Sequence, residues 1–102
     1  MTNPVLATAA NGHNWLTFET YGSPQWKAAY KWLSHQQFKE SGRSIIGLDE
    51  GILPSFVRGQ ITIETGFDNW SGHYLLAQCH EGDQLLVELA QHLAASDHRG
   101  VA

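Results

Sequence analysis

Polar and apolar side chains alternate along residues 14–21, with Trp15, Thr17, Glu19 and Tyr21 on one side and Leu16, Phe18 and Thr20 on the other, which predicts a first strand. The break Gly22-Ser23-Pro24 follows. Ser23 offers a capping oxygen and Pro24 a preset φ at a position with no amide bond to lose, so a helix should begin there. At 100° per residue, Trp26, Ala29, Tyr30, Leu33 and Gln37 fall on one stripe, with Trp32 and Phe38 on its shoulders. That stripe carries the predicted helix across 24–41, to a stop at Gly42.

Short apolar runs at 44–48 and 52–57, separated by Asp49-Glu50-Gly51 and closed by Arg58-Gly59, predict two further strands. Pro54 has no amide proton for a ladder, so its strand must lie at an edge or carry a bulge. Strict alternation over 60–65 and the apolar segment 73–79 predict a hairpin whose tip is Asp68-Asn69-Trp70-Ser71-Gly72. Leu85, Leu86, Leu89, Ala90 and Leu93 then mark the buried stripe of a second helix over 83–95, with Asp83 near its positive end and His92 near its negative end.

The resulting order, β-α-β-β-β-β-α, is that of an α+β domain: a mostly antiparallel sheet of four to five strands with two helices packed on one face. At 102 residues the chain suits one domain, 1–102, whose ends at 1–13 and 96–102 are expected to be loosely held. Folding at this size buries about two thirds of the unfolded surface, enough for one core without disulfides.

Only 16% of the residues are charged, against about 25% in typical domains, and the balance is −4. No cluster of Lys or Arg offsets it, which argues against nucleic acid as a partner. No apolar run approaches the roughly 20 residues that span a bilayer, so no membrane partner is expected. The start carries no basic, apolar leader, and Cys79 stands alone, which together favour a reducing, cytoplasmic setting.

The sequence lacks His-Glu-x-x-His, Cys-x-x-Cys, phosphate-loop, dinucleotide-glycine and Gly-x-Ser-x-Gly patterns, so no catalytic residue, metal ligand or cofactor is assigned. Cys79, following Leu75, Leu76 and Ala77, reads as a buried strand residue, where a thiol is inert. Glu19 and Glu64 read as solvated strand positions rather than a carboxylate pair. His80 and Asp83 flank a helix start and read as capping groups.

The unusual signal is aromatic. Four tryptophans in 102 residues are many, and Trp70 stands in a polar hairpin tip where an indole needs cover. Trp70, Asp68 and Asn69 therefore read as a contact surface for a basic protein partner, and Trp32 as a helix shoulder suited to a second subunit. On this reading the chain is a small protein-binding or oligomerising module with an acidic, aromatic-bearing surface. In size and charge it is similar to bacterial immunity and inhibitor proteins, a likeness of build rather than of motif. The alternative is a small-molecule binder or compact enzyme with an aromatic pocket, using Trp15, Tyr21, His73 and His80.

Overall fold

The computed structural model describes residues 4–18, 24–47, 50–68 and 72–101. In chain order the elements are β1 (Val5–Thr8), β2 (Asn14–Thr17), α1 (Pro24–His35), β3 (Lys39–Ser41), β4 (Ile45–Ile46), β5 (Glu50–Arg58), β6 (Ile61–Asp68), β7 (Gly72–Ala77) and α2 (His80–Val101). The α+β class and the two helices stand as expected. The sheet is larger than four to five strands: seven strands, ordered β1-β2-β7-β6-β5-β3, with β4 also against β5. Every pairing is antiparallel.

The extra strands have local causes. β1 forms in the N-terminal stretch and is turned back onto β2 by the loop Ala9–His13, where Ala9 N–H donates to His13 C=O at 2.8 Å and His13 N–H to Asn11 Oδ1 at 2.9 Å. β3 and β4 are two pieces of one edge strand along β5. Their pairings Ser41↔Ser55 and Ile45↔Ile52 differ by one residue in register, and Gly42, at φ 107°, makes the break. Gly42 thus interrupts a strand rather than ending a helix.

The first helix stops at His35, short of the expected 41, because the chain closes a Schellman turn there. Gln37 N–H donates to Ser34 C=O at 3.2 Å and Phe38 N–H to Leu33 C=O at 3.1 Å, with Gln37 in the left-handed region at φ 71°. Phe38 and Leu33, both buried, make the apolar contact that accompanies such a turn. Arg58 secures the same corner, donating to Gln36 C=O at 2.8 Å with its guanidinium 4.8 Å from the Phe38 ring. The second helix begins at His80 rather than 83 and runs to Val101, beyond the expected 95.

β5 lies between β6 and the β3/β4 edge, so Pro54 is accommodated by the bulge and not by an edge position. The register with β6 shifts between Leu53 and Phe56, and the Pro54 carbonyl accepts a 2.9 Å bond from Thr65 Oγ1. The extra residue puts Leu53, opposite Thr65, and Phe56, opposite Ile63, on the same face despite their odd spacing.

That face carries the core. Leu16, Leu75 and Thr65 lie in one cross-strand row, and Ala77, Ile63 and Phe56 in another, all buried. Trp26 and Tyr30 of α1 cover one half: Trp26 stacks on His73 and Tyr30 meets Phe56 edge-on. Leu85, Leu86, Leu89 and Leu93 of α2 close the other half. The opposite face, with Trp15, Thr17, Tyr74, Leu76, Glu64, Gly66 and Ile52, has no helix over it among the described residues.

Candidate functional site

A hollow of about 310 Å³ opens at the β4–β5 end of the sheet, lined by Ile45, Gly47, Gly51, Ile52, Phe67, Asp68 and Tyr74. Register and alternation put Ile45, Ile52, Asp68 and Tyr74 on the uncovered face. Ile45 is 64% and Ile52 55% exposed, the two most exposed large apolar side chains among the described residues. Gly66 shapes the wall. A Cβ there would sit 2.5 Å from the Tyr74 hydroxyl and 2.6 Å from the Gly51 carbonyl, so only glycine lets the Tyr74 ring lie across β6.

Asp68 is the one charged side chain among the residues that line the hollow, so its described rim is acidic.

Asp68 is the expected contact residue that the structure brings into this site. Asn69, Trp70 and Tyr21 lie outside the described residues, as does Glu19. Trp32 is elsewhere, on the helix layer. It is half-buried, with its ring 6.1 Å from His92, in a groove of about 280 Å³ shared with Ala28, Lys31, His35 and His92. Phe38, expected on the other shoulder of the helix, lies beyond the end of α1 and is 4% exposed.

The residues of the alternative pocket do not surround one cavity. Trp15 lies on the open face beside Tyr74, their ring centroids 5.9 Å apart. His73 lies on the helix side, buried, with its ring 4.2 Å from Trp26 at an interplanar angle of 9°. Burial pushes the His73 imidazole below its usual value, more than the Gly66 backbone bond raises it. His80 is exposed at the start of α2, where the sequence suggested a cap. Cys79 is half-buried and outside β7, correcting its reading as a buried strand residue; its carbonyl accepts the 2.9 Å bond from Asp83 N–H that opens the helix.

Asp83 does more than cap. Its Oδ1 accepts a 2.7 Å bond from Asn14 N–H, its Oδ2 lies 3.0 Å from His13 Nδ1, and its carbonyl accepts from Asn14 Nδ2 at 3.2 Å. Burial acts to raise the carboxyl, but the Asn14 amide, the bond and charge of His13 and the charge of His80 outweigh it and hold Asp83 below the usual range. This cluster fastens the β1–β2 hairpin to α2. Glu64 is exposed and accepts from Gln78 Nε2 at 3.0 Å, a solvated surface pair.

Sequence reasoning missed Tyr74, Ile45, Ile52 and Phe67. Each sits in or beside a stretch read as a strand, but only the cross-strand register reveals which face it takes. The available signal was Gly66 within an alternating run, since a strand glycine marks a close approach. Among the described residues no three His, Cys, Asp or Glu side chains are placed to hold a metal, and no helix is long and apolar enough to cross a membrane. No family model, curated protein or solved structure matches the chain.

Proposed function

We propose that the chain is a protein-binding module whose open sheet face receives a basic side chain, Lys or Arg on an apolar stem, from a partner protein. The observation that carries this reading is the hollow itself: exposed Ile45 and Ile52 beside Asp68. Long basic side chains bury their methylene stems on apolar surface and keep the charge at a polar rim, and this site offers both in that order. Its volume of about 310 Å³ stands at the low end of small-ligand pockets, which span about 300–1,000 Å³, so a side chain fits it better than a whole metabolite. The expected hairpin-tip contact lies close by in sequence, because residues 69–71 join Asp68 to its cross-strand partner Gly72.

Phage display of random peptides on the immobilised protein, with parallel selection on Asp68→Asn, tests the reading. It predicts enrichment of Arg or Lys flanked by apolar residues on the native protein, and loss of that enrichment on the variant. Enrichment of acidic sequences, or the same basic sequences on both proteins, contradicts it.

A further inference from the structure

We infer that β1 is a docking edge for a second copy of this chain, paired antiparallel about a twofold axis at Ala7. Among the described residues the sheet has two unpaired edges of opposite character. The β3/β4 edge carries Lys39 and Glu40 and is broken at Gly42, devices that discourage strand addition. β1, Val5-Leu6-Ala7-Thr8, is exposed at every residue and carries no charge, proline or break.

Backbone bonds on β2 fix which groups β1 presents. Phe18 N–H bonds His73 of β7, whereas His13 C=O accepts from Ala9 on the β1 side. Antiparallel alternation therefore turns even positions of β2 toward β7 and odd ones toward β1. Through the pairs Val5↔Thr17 and Ala7↔Trp15, the odd residues of β1 bond inward, leaving the N–H and C=O of Leu6 and Thr8 aimed off the edge.

Pro4, next in the outward row, has no N–H. A register joining Leu6 to Leu6 across the axis would set Thr8 against Pro4 and lose a donor. Joining Leu6 to Thr8 loses none, each pair exchanging both its bonds. That register faces Ala7 with Ala7 in the non-hydrogen-bonded position, the closest approach of two strands, at about 4.5 Å between Cα atoms. The smallest chiral side chain stands where the least room remains.

β1 itself brings no charge to the junction that would oppose a second copy, despite the net −4. The axis leaves both α2 helices on the same side of the joined sheet. Asp83, bonded to His13 and Asn14, marks the helix shoulder turned toward the hairpin, and Val87, one turn on, shares it. Val87 and Leu6 are 36% and 37% exposed, so the apolar strip continues from strand to helix. Glu81 and Glu88 fall roughly 100–120° further round α2, away from the junction. One short strand and one helix shoulder bury less than the ~800 Å² per partner of a standard interface, so the dimer should be weak and concentration-dependent.

Sedimentation equilibrium from about 5 to 500 μM should show a monomer–dimer equilibrium for the native chain and monomer for Thr8→Pro, whose lost N–H points away from β2. In a Cys79→Ser background, Ala7→Cys with oxidised glutathione should form a covalent dimer at least tenfold faster than Lys39→Cys, since 4.5 Å suits the Cα separation of a disulfide. A native chain monomeric throughout, or equal cross-linking at both edges, overturns the inference. The Asp68 hollow lies toward the other edge, so Asp68→Asn should leave this dimer unchanged.

Discussion

Two side chains sit in conformations or surroundings that cost stability, and each yields a test. Gln37 holds φ 71° at the Schellman turn, where a side chain crowds the backbone and glycine does not. Gln37→Gly should therefore raise unfolding free energy by about 0.5–1 kcal/mol in urea titrations, and a loss of stability would count against the turn. His73 is buried against Trp26 with its pKa lowered from 6.5. The unfolded chain then binds a proton that the folded one refuses. Its contribution is fully present above pH 6.5 and is lost as pH falls below that value toward the folded pKa. Thermal melts from pH 7.5 to 5 should show this decline, and His73→Phe should flatten it. Asp83 acts in a separate window: its carboxyl, lowered from 3.8, stabilises the fold above that value, and the contribution is lost as pH falls through the still lower folded pKa.

Among elements, those with a clear pattern were legible in the sequence: β6 by alternation, β7 as the apolar segment paired with it, α1 and α2 by their stripes. What escaped had physical reasons. The end of α1 was hidden because Gln37 replaces the expected glycine, and because Phe38, which packs on Leu33 to close the turn, looks like a continuation of the stripe. β1 was too short to show a period, and its existence depends on the polar loop 9–13 and on the Asp83 cluster. β5 lost its alternation at the Pro54 bulge. The hairpin's dependence on α2 is itself testable: Asp83→Ala leaves Asn14 N–H without its 2.7 Å acceptor and should cost about 1–2 kcal/mol. Amide exchange in β1 and β2 should rise with it, whereas uniform exchange across the sheet would contradict a local fastening role.

At the scale of the whole molecule, two helices cover one sheet face and, among the described residues, none covers the other, and the proposed binding role follows from that asymmetry. Only Asp68 of the candidate site was legible beforehand, because composition and turn position can mark an acidic hairpin, while the face taken by Ile45, Ile52 and Tyr74 emerges from register. Gly66→Ala probes the site's construction. The added methyl meets the Tyr74 hydroxyl and the Gly51 carbonyl, so it should cost about 1–3 kcal/mol and displace the Tyr74 ring resonances. The most direct test of the account is an amide-resolved NMR titration with capped Ile-Arg-Ile and Ile-Glu-Ile peptides. The account predicts salt-sensitive shifts at Gly47, Gly51, Ile52 and Asp68 for the arginine peptide alone, abolished by Asp68→Asn. Equal shifts with the glutamate peptide, or none at these amides at millimolar peptide, would contradict it.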